Sequence, residues 1–217
     1  MDFVEACEKG KLKIAKEIFE GGNIDIHYFN EQAFRFACEN GHLKVAKWLF
    51  EISEKKKLGI INIHADNEYA FRWACFDGHL NIAKWLIKIS EEKKLGSIDI
   101  HAENEEAFRF ACHGNYLEIA KWLIEISAEK KEVINIHVNN EQAFRYACDY
   151  HNNYLYVAKW LLTLYSYKEL KNLNHFLAEE ELENRRKINI GLILYLFERK
   201  FKLIDIHAIA IIWREYL

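Results

Sequence analysis

The sequence predicts an all-α fold, a solenoid of helix–turn–helix repeats joined by short extended connectors. Repetition is the first observation behind this prediction: the stretch NEYAFRWACFDGHLNIAKWL at Asn67–Leu86 recurs closely at Asn30–Leu49 and Asn104–Leu123 and more loosely at Asn140–Leu161. A truncated copy opens the chain at Asp2–Ile18. Repeats of this kind bury their apolar faces only by stacking on one another.

A constant period is the second observation. Residues of three types recur at intervals of 37: His27, His64 and His101; Cys38, Cys75 and Cys112; Trp48, Trp85 and Trp122. The third observation is the lack of any proline in 217 residues, which suits long helices.

The first helix of each repeat is predicted to begin at an asparagine N-cap followed by a glutamate, because the helix dipole favours negative charge there. These caps are Asn30, Asn67, Asn104 and Asn140. In the second repeat the helix is predicted to bury one face, made by Ala33, Phe34, Ala37 and Cys38. It ends near Gly41, and its counterpart near Gly78, because glycine suits the left-handed position after a helix.

The second helix presents an apolar face made by Leu43, Val45, Ala46, Leu49 and Phe50. It ends in lysines, which complement the helix dipole. A β-like connector of the form Ile-Asp/Asn-Ile-His follows, and its branched residues favour an extended backbone. These connectors are Ile24–His27, Ile61–His64, Ile98–His101 and Ile134–His137.

Two regions are predicted along the chain. Residues 1–165 form five repeats, of which the truncated first is an N-terminal cap. Residues 166–217 form a degenerate sixth repeat and a half-repeat C-terminal cap, since end units need an altered outer face. In this tail we expect a charged helix over Glu169–Arg186, a second repeat helix over Ile190–Phe201, a connector at Ile204–His207 and a last helix over Ala208–Tyr216.

Charge and hydropathy exclude several classes of partner. The net charge is −3, from 30 basic and 33 acidic side chains, so no basic excess points to nucleic acid or to an anionic membrane. The longest apolar run, Leu192–Phe197, is too short to span a bilayer, and the first residues lack the apolar core of a signal peptide. We therefore expect an intracellular protein that binds neither nucleic acid nor membrane.

Cysteine recurs in one position of each repeat, at Cys7, Cys38, Cys75, Cys112 and Cys148. Stacked helices lie roughly 8–10 Å apart, whereas a disulfide needs Cα atoms within about 7 Å of each other. We predict small buried side chains and not a disulfide framework.

Histidine recurs at the connector ends, at His27, His64, His101, His137 and His207. A metal ion needs its ligands about 2 Å away, but equivalent side chains lie a whole repeat apart, so we expect hydrogen-bonded connector histidines, no metal site and no cofactor. His42 and His79 are predicted to form hydrogen bonds in the turns. Without a Gly-rich phosphate loop, a His-Glu-x-x-His or a Cys-x-x-Cys, the sequence predicts no enzyme. A metal site or enzyme built from these side chains is an alternative that elemental analysis would test.

The segments Gly41–Leu49 (GHLKVAKWL) and Gly78–Leu86 (GHLNIAKWL) resemble the second-helix signature of ankyrin repeats, and Asp25-Ile26 resembles the connector of that family. The sequence of Asn62–Cys75 (NIHADNEYAFRWAC), followed by that of Gly78–Leu86 (GHLNIAKWL), resembles the repeats of ankyrin-repeat proteins from the large amoeba-infecting DNA viruses, of the mimivirus type. This resemblance covers Asp2–Leu164 well. It implies an ankyrin-type helix–turn–helix solenoid and a non-catalytic scaffold that binds a protein on its concave face.

The chain departs from the family at the hairpin finger. The family's Thr-Pro-Leu-His signature is replaced by Gln32–Arg35, and only Ala65-Asp66 separates His64 from the next predicted cap. We therefore expect shortened hairpin fingers, reduced to tight turns. A tetratricopeptide array is the structural alternative, but its tryptophan–tyrosine signature is missing.

Two further patterns recur within the repeats. Glutamate and arginine stand four residues apart in the first helix, as in Glu31 and Arg35, which predicts i, i+4 ion pairs. We interpret these pairs as links between repeats, with partner recognition as the alternative. Aromatic stripes at helical spacing are predicted to be packing; they are Trp48, Trp85, Trp122 and Trp160, and Phe36, Trp73, Phe110 and Tyr146.

Positions that keep the repeat pattern but change residue are better candidates for binding, because packing leaves them free to vary. They fall at the first-helix ends and the connector tips, which line the concave face in the ankyrin family. The predicted partner-binding residues are Tyr28, Phe29, Glu39, Asn40, Asp66, Phe76, Asp77, Glu103, His113, Val138, Asn139, Asp149 and Tyr150. The aromatic members belong to a class enriched at interface hot spots.

The predicted function is a monomeric protein-interaction scaffold, with a host protein as the partner if the viral resemblance holds. The alternative is a substrate adaptor whose tail, Lys168–Leu217, recruits a second complex such as a ubiquitin ligase. The expected location is the host cytoplasm, with the nucleus as the alternative.

Overall fold

The computed structural model describes residues 1–148, 155–173 and 175–200, with side chains up to residue 188. The first helices of the repeats are α1 (Phe3–Glu8), α3 (Tyr28–Glu39), α5 (Ala65–Phe76), α7 (Ala102–His113) and α9 (Val138–Ala147). The second helices are α2 (Leu12–Gly21), α4 (Leu43–Lys55), α6 (Leu80–Glu92), α8 (Leu117–Glu129) and α10 (Tyr156–Leu164). The helices α11 (Tyr167–Asn172) and α12 (Phe176–Lys200) follow. The predicted all-α helix–turn–helix solenoid is confirmed.

The chain divides into two compact units, Met1–Val157 and Ala158–Leu217. In the first unit α1, α3, α5 and α7 each pack against the second helix of the same repeat and against the first helix of the next repeat. The predicted buried face is confirmed in the second repeat, where Ala33, Phe34, Ala37 and Cys38 are at most 2% exposed. The small alanines and the cysteine let neighbouring first helices approach closely, and Phe34 fills the core between them.

The second-helix tryptophans pack between repeats, as the sequence predicted. The Trp85 ring lies 6.1 Å from the Phe34 ring and 6.4 Å from the Phe50 ring, both in the preceding repeat. The Trp122 ring lies 6.2 Å from the Phe71 ring in the same way. Such aromatic pairs add to the free energy gained by burying apolar area.

The connectors are irregular, and the part of the chain that the structure describes contains no β-strand. Their isoleucines are nevertheless almost fully buried: Ile61, Ile63 and Ile100 are 1% exposed and Ile98 is 2% exposed. The branched residues that suggested strands therefore anchor the connectors to the helical core.

The predicted asparagine caps are wrong. Each of the four lies in the middle of a three-residue left-handed turn, such as Phe29, Asn30 and Glu31 with φ values of 49°, 57° and 64°. The same turn recurs in the next three repeats. Asparagine tolerates this backbone better than most residues, but left-handed geometry still costs roughly 1–2 kcal/mol per residue. The expected tight turn replaces the hairpin finger, and other contacts must hold it.

The predicted glycine helix ends are confirmed. Gly41 and Gly78 both have φ of +80°, directly after a first helix. A Cβ atom at Gly41 would lie 2.6 Å from the His79 ring of the next repeat. These glycines therefore provide both a left-handed backbone and room for the neighbouring turn.

The second unit differs from the predicted tail. The single charged helix expected over Glu169–Arg186 is divided, because α11 ends at Asn172 and α12 begins at Phe176. The helix α12 then continues through the break that was predicted before Ile190. Ser166 begins α11 with a capping box to Glu169, which sets the position of that helix. The predicted elements at 204–216 lie outside the described residues.

Candidate functional site

Arginine side chains hold the left-handed turns. Arg35 donates from Nε to the backbone oxygen of Asn30 at 2.8 Å and from Nη2 to the backbone oxygen of Phe29 at 3.1 Å. Arg72 makes the same two bonds in the next repeat, at 2.6 and 3.0 Å. The guanidinium therefore binds backbone carbonyls that the left-handed turn leaves without helical partners.

The third arginine nitrogen joins one repeat to the next. Arg35 Nη1 lies 3.0 Å from an Asp66 carboxylate oxygen, Arg72 Nη1 contacts Glu106, and Arg109 Nη1 donates to Gln142 at 2.6 Å. The predicted links between repeats are present, but with other partners than expected.

The glutamate of each expected ion pair contacts groups other than the arginine four residues later. Glu31, 5% exposed, accepts at Oε1 from the backbone N–H of Asn62 in the next repeat, at 3.0 Å, and lies 2.9 Å from His27 Nδ1. The i, i+4 prediction was wrong because it assumes a right-handed helix through both residues, whereas Glu31 lies in the left-handed turn.

The first helices α3, α5, α7 and α9 carry a continuous row of partly exposed rings. We call this row the aromatic band; it consists of Phe36, Tyr69, Trp73, Phe76, Phe110, His113 and Tyr146. Neighbouring rings lie 4.8 to 6.5 Å apart between centroids, within the range of favourable aromatic contacts. The band therefore crosses four repeats without interruption.

The centre of the band is its most tightly packed part. The Phe76 ring lies 5.1 Å from Trp73, 4.8 Å from Phe110 and 5.7 Å from His113. The Trp73 ring in turn stacks on Tyr69 at 5.4 Å. Because each ring holds its neighbours, this surface is presented with little rotamer freedom to lose when a partner binds.

Carboxylates line the edge of the band. Tyr69 donates its hydroxyl to Glu39 Oε2 at 2.8 Å. Burial raises the pKa of Glu39 most; the Tyr69 bond lowers it, and the negative charges of Asp77 and Glu8 raise it further. Burial also raises the pKa of Asp77. Asp77 and Glu8 therefore both stand close enough to Glu39 to disfavour its charged form.

Four of the predicted binding residues come together on this surface: Phe76 and His113 in the band, and Glu39 and Asp77 beside it. Asn40 is exposed but donates its amide to the Phe36 oxygen at 3.0 Å. It follows that the variable first-helix ends form one surface with the rings between them.

The predicted residues at the connector tips are dispersed. Tyr28 and Phe29 are 61% and 68% exposed, with ring centroids 6.1 Å apart. Asp66 pairs with Arg35, and Glu103 accepts from the Asn67 amide at 2.7 Å. These two acids therefore already have partners within the stack.

The last repeat contributes the remaining predicted residues. Val138 is half-buried, and the exposed Asn139 donates its amide to Gln142 at 3.0 Å. Asp149 and Tyr150 lie outside the described residues.

Sequence reasoning missed part of the band. Four band residues were assigned to packing because an aromatic residue recurs at their position, yet they remain partly exposed: Phe36, Trp73, Phe110 and Tyr146. Tyr69 was not selected, although its position varies between repeats and lies four residues before Trp73 on the same helical face. That combination, a variable position one turn before an aromatic one, was the signal that could have found it.

A groove of 500 Å³ opens at the N-terminal end of the band. Its walls come from α1, from the first connector and from α3, and they include Asp2, Glu5, Glu8, Asp25, Tyr28 and Phe36. Carboxylates and rings thus line the same concavity.

The cysteine ladder is buried and free of disulfides, as predicted for the repeat core. Cys7, Cys38, Cys75 and Cys112 are buried, and Cys148 is half-buried. Burial raises the pKa of Cys7 to about 12 and that of Cys148 to about 11. These thiols therefore have the chemistry of small core side chains.

The structure also bears on metals and membranes. Within the described residues, no group of three or more His, Cys, Asp or Glu side chains could hold a metal ion. None of the described helices is both long enough and apolar enough to cross a membrane.

A match to a family model supports the repeat architecture. The family model for ankyrin repeats, described as Ankyrin repeats (3 copies), matches residues 3–97 and 71–172. No curated protein matches the chain significantly. Among solved structures, an ankyrin repeat family protein from Legionella pneumophila is 28% identical, with a TM-score of 0.46. That match covers 58% of this chain but only 37% of the Legionella chain.

The two family matches together extend over residues 3–172 of 217 and include all the described residues of the aromatic band and of the left-handed turns. Ankyrin repeats are typically non-catalytic protein-interaction modules. The chain belongs to the ankyrin-repeat family.

Proposed function

We propose that this protein is a scaffold that binds a partner protein on the aromatic band. The observation that carries the proposal is the row of seven partly exposed rings in van der Waals reach of one another across four repeats. Solvent-accessible aromatic side chains at the centre of a rigid surface are the residues that most often dominate binding energy.

The band lies on the first helices, the side that forms the concave face in ankyrin stacks. The variable residues Glu39, Phe76, Asp77 and His113 then give the surface its specificity, and the buried arginine and glutamate contacts keep it rigid. Tyr28, which lines the N-terminal groove together with Phe36, extends the surface at that end.

The partner we propose is a host protein, and the protein acts in the host cytoplasm as a monomer. The resemblance of the repeats to those of amoeba-infecting viruses supports this part of the proposal.

The test is crosslinking and affinity capture from amoebal lysate, compared between the natural sequence and the variant Tyr69→Gln with Phe76→Ala. Glutamine already occupies the position of Tyr69 in two other repeats, at Gln32 and Gln142, so the variant should fold. We expect at least about a tenfold loss of affinity for a saturable partner, the effect of removing one hot-spot contact.

The matched control is Ile60→Ala with Val133→Ala, which shortens two apolar connector side chains that are 53% and 84% exposed. This control should keep both the affinity and the melting temperature of the natural protein, and the band variant should remain folded, which circular dichroism checks. Equal binding by the band variant and the natural protein would show that the band is not the site.

An adaptor function is the second candidate, because the second unit exposes apolar side chains of its own. Phe176 and Ile188 on α12 are 63% and 68% exposed. In an adaptor these residues would recruit the second complex. Phe176→Ser with Ile188→Ser should then abolish capture of that complex and leave the band partner bound; loss of neither interaction would remove this candidate.

A further inference from the structure

Two positions that carry rings of the aromatic band are occupied by carboxylates in the first repeat. Glu5 stands where the later repeats carry the rings of Phe36, Trp73, Phe110 and Tyr146. Glu8 and Glu39 stand where Phe76 and His113 follow. The binding surface therefore begins with carboxylates at its N-terminal end and continues as aromatic rings.

The N-terminal groove concentrates this negative charge. Four of its described lining residues are acidic, namely Asp2, Glu5, Glu8 and Asp25, and none is lysine or arginine. Tyr28 and Phe36 form part of the same lining. The groove thus offers both anionic oxygens and ring faces to one occupant.

Internal partners satisfy only part of these carboxylates. Glu5 pairs with Lys9 at 2.6 Å. Asp2 and Asp25 each use one oxygen to accept a backbone N–H, from Glu5 at 2.8 Å and from His27 at 2.9 Å. Both aspartates remain exposed, so each keeps a second oxygen directed to the surroundings.

Apart from Lys9 and the N-terminal ammonium, which both lie beside Glu5, the cations of the stack lie away from the groove lining. The guanidinium groups of Arg35, Arg72 and Arg109 are buried and bonded to turn carbonyls. Lysines collect instead on the second helices, where Lys47, Lys84 and Lys88 line a separate pocket of 370 Å³. The groove lining is therefore rich in carboxylates, whereas this second pocket is lined by three lysines and by Glu92.

We propose that the N-terminal groove seats an arginine side chain of the partner, whose adjoining apolar residues lie on the aromatic band. This inference rests on the proposed function and adds the chemistry of the partner. A guanidinium can donate to the carboxylate oxygens of Asp2 and Asp25 that accept no backbone N–H, and it can lie over the ring of Tyr28 or Phe36. It would then contact both the acidic and the aromatic side chains of the groove.

The experiment selects peptides from a random library displayed on phage, using the full chain as the target. Enriched peptides are synthesised with arginine and with citrulline, its neutral isostere, and their affinities are measured by fluorescence anisotropy. We expect selected peptides to contain an arginine beside apolar residues. The citrulline form should bind at least about tenfold more weakly, and the difference should shrink near 1 M salt, where screening acts within about 3 Å.

The test variant is Asp2→Asn with Glu8→Gln and Asp25→Asn. It removes three charges but keeps the oxygens that accept the backbone N–H groups, so α1 and the first turn should remain intact. The control is Glu125→Gln, an exposed carboxylate on α8. The triple variant should bind arginine and citrulline peptides alike, and the control should retain the natural preference.

The outcomes separate this inference from the proposed function. Selected peptides could lose affinity for the Tyr69→Gln, Phe76→Ala variant and yet bind equally well with arginine or citrulline, and equally well to the natural chain and the triple variant. That result would overturn the arginine site but would leave binding at the aromatic band supported. Failure to select any peptide that depends on the band or on the groove would contradict both.

Discussion

His27 places Nδ1 2.9 Å from Glu31 Oε1 and Nε2 3.1 Å from the backbone oxygen of Leu58, in the following repeat. His64 repeats this arrangement with Glu68 at 2.7 Å and the Leu95 oxygen at 3.2 Å. Both partners of each ring are acceptors, so both ring nitrogens must carry a proton for both bonds to form. His27 therefore links its repeat to the following one best as imidazolium.

The first prediction is that this link depends on pH. Partial burial lowers the pKa of His27, but the bond to Glu31 and the Glu31 charge raise it by more, so the folded pKa lies above its ordinary value. A raised folded pKa stabilises the protein below the unfolded value of about 6.5, and this stability is lost as pH rises through the folded pKa. Thermal unfolding should show His27→Gln destabilised more at about pH 5.5 than at about pH 8, because the first lies below and the second above the unfolded pKa of about 6.5.

Glu31→Gln is the matched control for this effect. It keeps an acceptor for the Asn62 N–H but removes the charge that holds the proton, so it should show the same weakened pH dependence. An unchanged pH profile in both variants would mean that the ring is neutral in the folded protein.

The second prediction concerns the arginines that hold the left-handed turns. Arg72→Met removes the donors to the Asn67 and Asp66 oxygens and leaves Glu106 without its cation. Breaking a buried pair of this kind costs on the order of 3 kcal/mol of unfolding free energy. Urea unfolding should show this loss.

Arg145→Met provides the comparison for Arg72. Arg145 is exposed and donates to the Asn139 oxygen at 3.0 Å. Because an exposed bond contributes less, its loss should cost well under half as much. Equal losses for the two variants would contradict the role assigned to the buried guanidinium.

The third prediction concerns the glycine at the end of α3. Gly41→Ala puts a side chain on a left-handed backbone and brings its Cβ to 2.6 Å from the His79 ring. We expect a loss of about 1–2 kcal/mol from the backbone alone. Gly21→Ala is the control, since a Cβ atom there meets nothing within 4 Å and alanine favours the helix. If chemical denaturation showed equal unfolding free energies for the two variants, the left-handed backbone at Gly41 would not explain the need for glycine there.

The fourth prediction concerns the cysteine ladder. Since burial raises the thiol pKa values, little thiolate exists near neutral pH, and the native protein should react slowly with a thiol reagent. Cys148, the half-buried member, should react first, and all five should react after denaturation. Mass spectrometry that found Cys75 labelled before Cys148 in the native protein would contradict this order.

Sequence periodicity identified the helices and their buried faces because these are local properties. The spacing of Ala33, Phe34, Ala37 and Cys38 permits one apolar face, and the structure buries that face. The left-handed turns escaped prediction because asparagine followed by glutamate is also a good helix start. Nothing in a single repeat reveals that Arg35 will bind the carbonyls of Phe29 and Asn30.

The aromatic band was predictable only in part, for a related reason. Variation between repeats selected Phe76 and His113, whereas recurrence placed Trp73 and Phe110 in the core. Whether a recurring ring is buried depends on what the neighbouring repeat places against it, and the sequence does not give that distance.

The sequence by itself determined the repeat unit, its period, the helical faces that stack and the glycines that end the first helices, because each follows from local spacing and backbone preference. Only the tertiary structure decided the direction of Glu31, the clamp made by Arg35 and the joining of separate aromatic residues into one band. These features depend on contacts between residues about one repeat apart, and such contacts exist only when the repeats are stacked.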